Sequence, residues 1–334
     1  MRQEADLIQW QELYYISDKL KELSPWEYLS ELDLITIILP NVEEPFYCSI
    51  MGNSGDPFGV AIYKGYQAIQ GFFKVARSEE IPESQLIRYE DCLVVYFGDK
   101  NNLFNEEIEV MKKIGKRTKD NKWTFFRSVK KGYAPYLFNK EEVEESIEII
   151  KELVNAIIDY NNIGKAEFEL GNTLLRSFDE EKQLWETNIT PIFLGDIIYE
   201  NVILNDKETL NMLIDKNRIN SNLELDIVYL ESVIEDEKFD KPIIPRLCLL
   251  ADRDSGYVLD QEMLTPSNDD VQEILKSIIN YTKVIGRPKA LYVRDEYTKS
   301  VLRHLCKKLN IELKIKEKLI AIDSICSELF VDAY

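Results

Sequence analysis

The chain has 334 residues, of which 45% are hydrophobic and 30% charged, and a formal net charge of −19. These are the proportions of an ordinary globular protein with length enough for two cores. No apolar run approaches the roughly 18 residues of a membrane span, and Glu4 and Asp6 beside Arg2 do not read as a secretory signal. Cys48, Cys92, Cys248, Cys306 and Cys326 all lie in apolar patterns, so buried, reduced thiols and a cytoplasmic location are expected, with no membrane partner. A single histidine, His304, and the lack of a CxxC pair argue against a zinc site of Cys/His type.

The charge is unevenly spread. Residues 1–139 carry 17 basic and 21 acidic side chains, residues 140–239 carry 9 and 24, and residues 240–334 carry 15 of each. The acidity thus belongs to the middle of the chain, which would repel nucleic acid and suit a basic partner.

In chain order, Leu7, Trp10, Leu13, Tyr14, Leu20 and Leu23 recur at helical spacing over residues 4–23, and Ser24-Pro25 ends that helix. Strands are expected over 34–39, 46–51 and 58–63, separated by Pro40-Asn41 and by Gly52-Asn-Ser-Gly-Asp-Pro57. A helix over 66–76, a strand over 92–97, a helix over 105–114 and a strand over 123–129 complete a βββαβαβ module. A long amphipathic helix follows over 141–160, and Gly164 and Gly171 mark a boundary region. Strands over 197–204 and 225–230, a short helix over 207–215 and an acidic loop over 231–240 are expected next.

The last stretch is the clearest. Leu247–Ala251 is apolar on both faces, Asp254-Ser-Gly256 turns the chain, and 257–264 returns. Ser267 with Asp270 resembles a capping box for a helix whose stripe is Val271, Ile274, Leu275, Ile278 and Ile279. Lys289–Val293 reads as the central strand of a ββαβαβα module, followed by a helix over 298–309, a strand over 311–315 and a helix over 321–330. The fold class is therefore α/β. Two mixed-sheet modules, 1–139 and 241–334, flank an acidic, helical or irregular segment over 140–240, and the two modules share enough order to suggest kinship.

One basic run interrupts the acidity. Lys112, Lys113, Lys116, Arg117, Lys119, Lys122, Arg127, Lys130 and Lys131 contain Asp120 as their one acid, with Trp123, Phe125 and Phe126 interleaved. Cations neutralise phosphates and aromatics stack bases, so this stretch is a candidate nucleic-acid or partner patch. The plainer reading puts the aromatics in a core and the lysines in water or against the acidic middle.

Trp10 with Leu13-Tyr14, Pro25-Trp26, Tyr47-Cys-Ser-Ile-Met-Gly52, Gly59-Val-Ala-Ile-Tyr63, Asp252-Arg-Asp-Ser-Gly256 and Val293-Arg-Asp-Glu296 resemble a two-domain family of uncharacterised bacterial proteins. That resemblance implies no activity. The C-terminal module also resembles the ribonuclease H-like fold of nucleases, integrases and transposases. Those proteins place one acid on a first strand, another at the end of a later parallel strand and a third on a closing helix. The resemblance implies Asp252, Asp295 and Asp323 as catalytic and metal-ligating residues for Mg²⁺ or Mn²⁺, activating water against a phosphodiester.

Each acid also has a structural explanation. Asp252 starts a hairpin turn, Asp295 and Glu296 precede a helix, and Asp323 suits an N-cap. Glu273, the natural fourth acid, lies opposite the apolar stripe of its helix. Arg253 and Arg294 adjoin two of the acids and would neutralise them. There is no GxGxxG or P-loop, and neither His304 nor Cys48-Ser49 has the neighbours of a nucleophilic triad. Two readings stand: a non-enzymatic accessory or protein-interaction protein that needs no cofactor, or a divalent-metal nuclease acting on phosphodiesters.

Overall fold

A computed structural model of the protein describes residues 2–77, 80–117, 122–163 and 171–331. Lys119, Asp120 and Gly164, invoked above, fall outside the described residues. The chain forms two compact units. The first comprises the residues up to Ala76, Tyr89–Lys130 and Pro135–Asp196; the second comprises Arg77–Arg88, Lys131–Ala134 and the residues from Ile197 onward. Residues 140–240, expected as a segment of their own, are divided between the two.

In the first unit, α1 (Leu7–Leu23) starts at a capping box: Asp6 accepts the N–H of Gln9, and the Gln9 side chain accepts the N–H of Asp6, both at 2.9 Å. Ser24 in the left-handed region and Pro25 end it. The strands β1 (Ile35–Ile38), β2 (Phe46–Met51) and β3 (Phe58–Lys64) form the expected meander. After α2 (Gly65–Arg77), β4 (Cys92–Gly98) joins β3, and after α4 (Asn105–Lys113), β5 (Trp123–Val129) joins β4; every one of these pairings is antiparallel. At Gly59 a Cβ would collide with the Val95 carbonyl oxygen of β4, so the close strand approach there requires glycine. The long helix α5 (Lys140–Ile163) buries Val143, Ile147, Ile150, Val154 and Ile157 with the apolar face of α1 in one core. Ala68 and Ile69 of α2 join a smaller core that includes Tyr47, Ala61 and Val94.

Two strands were not legible beforehand. β6 (Asn172–Asp179) lies parallel to β1, and β7 (Leu184–Pro191) closes the sheet, giving the order β5-β4-β3-β2-β1-β6-β7. β6 hides its character because it carries a buried charge. Arg176 is 7% exposed and bonds Glu152 at 3.0 Å and Asp159 at 2.8 Å, both on α5.

The second unit contains α3 (Glu83–Leu86), α6 (Lys207–Ile214), β8 (Asn222–Tyr229), β9 (Arg246–Asp252), β10 (Val258–Leu264), α7 (Asp270–Val284), β11 (Ala290–Val293), α8 (Glu296–Leu309), β12 (Glu312–Ile315) and α9 (Ile320–Val331). Its sheet runs β10-β9-β8-β11-β12, a three-strand antiparallel meander followed by two parallel additions. The central strand is therefore β8, while Lys289–Val293, expected at the centre, is β11, one in from the edge. Leu223, Leu225 and Ile227 of β8 point into a core with α7 and α8, and Val228 into a core with α9.

Residues 197–204 form no strand. They run irregularly along this unit, with Val202 and Leu204 against the core and the Leu204 N–H donating to His304 Nδ1 at 3.3 Å. Helix α7 is capped by Asp269, not by Ser267 with Asp270: Asp269 accepts the N–H of Val271 at 2.9 Å, and Ser267 pairs with Thr265. The two sheets also differ in topology, because the first has one parallel pairing and the second has two. Among the described residues no helix is long and apolar enough to cross a membrane.

Candidate functional site

The central strand β8 reads Leu223-Glu-Leu-Asp-Ile-Val-Tyr229, and its alternation sends Glu224 and Asp226 to the face opposite Leu223, Leu225 and Ile227. Both acids are buried, at 0% and 1% exposure. A buried carboxylate is tolerated when it is paired and fully hydrogen-bonded. Each of these two finds its partners in a different way.

Asp226 is held by two arginines. Arg88 grips it bidentately, with Nη1 to Oδ1 at 2.7 Å and Nη2 to Oδ2 at 3.1 Å, and Arg294 adds Nε to Oδ2 at 2.7 Å. The Ile227 N–H donates to Oδ1 as well, at 3.0 Å. Burial opposes the charge on Asp226, but the two guanidinium groups outweigh it and hold the carboxyl below the usual range.

Arg88 comes from the short segment that precedes β4. That segment is fixed by more than charge: the Gln85 amide donates to the Tyr229 carbonyl at 3.0 Å and accepts the Tyr229 N–H at 2.8 Å, extending the ladder of β8 with a side chain. Nη2 of Arg88 also donates to the Ile227 carbonyl at 2.6 Å. From Arg294 the network continues to Asp323 of α9 at 2.5 Å and to the Glu317 carbonyl.

Glu224 works as a helix cap supplied by a strand. It accepts the N–H groups of Ile320, Ala321 and Ile322, at 3.0, 2.8 and 3.1 Å, at the start of α9, and it pairs with Arg253. Burial pushes its carboxyl up, against the opposing pull of these amides and of Arg253.

The three acids singled out beforehand are not brought together. Asp323 enters the arginine network through Arg294. Asp295 caps α8, accepting the Thr298 N–H at 2.8 Å, and stands 3.9 Å from Nη1 of Arg88. Asp252 is elsewhere. It pairs with Leu223 at the start of β8, whereas Val293, two residues before Asp295, pairs with Leu225. Asp252 and Asp295 are thus separated by about 13 Å along the strands and about 9.6 Å across two strand spacings. Asp252 holds its own turn instead, accepting the N–H and hydroxyl of Ser255 at 2.8 and 2.7 Å.

Asp252 ends β9, whereas β8, the first strand of this meander, carries Asp226. A divalent ion does not fit there. Both oxygens of Asp226 are already taken by guanidinium groups, and Asp323 is committed to Arg294. Glu273 pairs with Lys276 on α7 at 2.8 Å. Among the described residues no group of three or more His, Cys, Asp or Glu side chains is arranged to hold a metal ion.

The basic run also comes apart. Arg127 is buried and pairs with Glu107 at 2.9 Å; Lys116 pairs with Asp18, and Lys130 with Asp91 at 2.6 Å. Lys122 covers the Phe58 ring at 3.3 Å. Phe125 and Phe126 are buried, and the half-buried Trp123 packs on the core with Lys100 over its ring at 5.4 Å. Lys112, Lys113, Arg117 and Lys131 remain exposed. All five cysteines are free and buried. Burial raises Cys92, Cys248, Cys306 and Cys326 to about 12 and Cys48 further, which leaves none of them a thiolate nucleophile.

Arg88, Glu224 and Asp226 were missed in the sequence. The signal for the acids was present: two carboxylates at alternate positions in an otherwise apolar strand cannot be buried without cations or helix ends. For Arg88 there was none, since its partner lies 138 residues away.

Solved structures resemble the chain over about a third of its length. A chain from the simian T-cell lymphotropic virus intasome in complex with PP2A regulatory subunit B56 gamma shares 16% identity over 34% of this chain and 42% of that one, with a TM-score of 0.26. The HTLV-2 integrase catalytic core domain in complex with magnesium shares 13% identity over 34% of this chain and 73% of that one, with a TM-score of 0.24. The match thus spans less than half the length of the first of these. No curated protein matches. Two family matches divide the chain much as its two units do: residues 10–182 match the domain of unknown function DUF7309, and residues 209–330 the domain of unknown function DUF6930. The chain belongs to the DUF7309 family and carries a DUF6930 domain behind it.

Proposed function

We propose that this protein is a non-enzymatic interaction protein, and that its second unit keeps a ribonuclease H-like arrangement of strands and acids without metal-dependent phosphodiester chemistry. One observation carries this reading: Asp226, the acid of the first meander strand, is fully buried and bonded by both Arg88 and Arg294. Two-metal hydrolysis needs carboxylates free to share cations and to position water. To take part, Asp226 would have to give up three guanidinium bonds in a buried setting, and charge-assisted bonds of that kind are worth about 1.5–3 kcal/mol each. Asp295 and Asp323 are likewise engaged in capping α8 and holding Arg294.

The test pairs thermal unfolding with a cleavage assay. Mg²⁺ and Mn²⁺ should shift the Tm no more than NaCl of equal ionic strength, and labelled DNA and RNA, single- or double-stranded, should remain intact. Metal-dependent cleavage that disappears in Asp226→Asn would overturn the proposal.

A further inference from the structure

Among the described residues, the five-stranded sheet ends on β12, which pairs with β11 alone. Glu312 and Lys316 direct their N–H groups inward, to the carbonyls of Lys289 at 3.1 Å and Val293 at 2.9 Å. Strand alternation therefore turns the N–H and C=O groups of Leu313 and Ile315 to the outer edge. The opposite edge, β10, carries Asp260 and Glu262.

Around β12 the sign of the charge reverses. Residues 287–318 contain ten lysines and arginines against four acids, a local excess of +6 in a chain of −19, which leaves −25 for the remainder. Lys289 lies level with the start of β12, which Lys307 and Lys308 in the last turn of α8 precede in the chain; Lys316 and Lys318 follow its other end. All five are exposed, and none has a carboxylate partner among the described residues. An open strand edge with unpaired cations at both ends thus stands on an otherwise acidic protein.

We propose that the β12 edge docks an extended acidic peptide segment of a partner protein, which adds to the sheet as a further strand and sets its carboxylates against the flanking lysines. This rests on the interaction reading above and names the class of partner. A peptide fits better than nucleic acid for two reasons. The edge offers backbone donors and acceptors, which an extended peptide matches. The ring on the neighbouring strand, Tyr292, is covered by Arg253 at 4.5 Å and Lys314 at 5.7 Å, so bases find no stacking platform.

Fluorescence polarisation of the 334-residue chain with a labelled peptide of alternating Glu and Val tests the proposal. Its counterpart with Gln for Glu and a single-stranded oligonucleotide of equal charge serve as competitors. The acidic peptide should bind saturably and weaken with salt. Lys307→Glu, Lys308→Glu and Lys316→Glu together should weaken it by about tenfold or more, as three reversed surface pairs would. Amide exchange at Leu313 and Ile315 should slow in the complex, a change that adsorption by charge alone would not produce. No peptide binding, equal binding of the Gln peptide, preference for the oligonucleotide, or binding without protection of those two amides would each overturn it. Failure here leaves the metal-free reading standing, because that reading is judged by the metal response and cleavage.

Discussion

Replacing Arg88 by Met probes the network that defines the second unit. The change removes two bonds to Asp226, one to the Ile227 carbonyl and one to Gln85, while keeping most of the side chain's apolar stem. Removing one partner of a buried ion pair costs about 3–5 kcal/mol, because the charge left behind loses its compensation without regaining water. Here Arg294 still holds Oδ2 of Asp226, so the low end, about 3 kcal/mol, is expected. The readout must be local to this unit. All four tryptophans, Trp10, Trp26, Trp123 and Trp185, lie in the first unit, so their fluorescence does not report on β8. Amide exchange of Leu225–Val228 does. Where closing outpaces exchange, a loss of about 3 kcal/mol lowers protection by about two orders of magnitude. Adding Asp226→Asn to Arg88→Met should cost less than the sum of the two single changes, since the second no longer breaks the same pair. Protection in Arg88→Met within tenfold of the parent would refute the reasoning, for the guanidinium would then contribute no more than a surface charge.

Asp226 also sets a pH dependence. Its folded pKa lies below the unfolded value of about 3.9, so its contribution is fully present above that value and is lost as pH falls through the lower folded one. Exchange protection of β8 in Asp226→Asn should therefore vary less across that acid range than in the parent, and an equal acid slope in both would contradict the assignment. The five thiols should resist a water-soluble disulfide reagent near neutral pH and all react once the chain is unfolded in denaturant; fast stoichiometric labelling of the native protein would show one of them to be accessible. In the first unit, Leu13→Ala should lower stability by about 2–5 kcal/mol, read by tryptophan fluorescence during urea unfolding, because Leu13 is fully buried where α1 meets α5; a change under about 1 kcal/mol would mean that the site collapses around the cavity.

Local patterning determined much of this protein by itself. The apolar stripes of α1, α5, α7 and α8 and the meander β1–β3 follow from periodicity and turn residues whose partners are near in sequence. Even the structural explanations for Asp252 and Asp295, a turn and a helix cap, were legible because the groups they bind lie three residues away. Tertiary structure decided the rest. That β6 is a strand depends on β1 and on the acids of α5, which make burial of Arg176 possible. That β8 is the central strand depends on pairing with β9 and β11, which no local pattern shows. Asp226 on that strand is bonded by Arg88, which reaches it from a segment 138 residues away. No window of sequence spans such a pair: the energy of a buried charge depends on what surrounds it in space, and the chain brings those neighbours together only on folding.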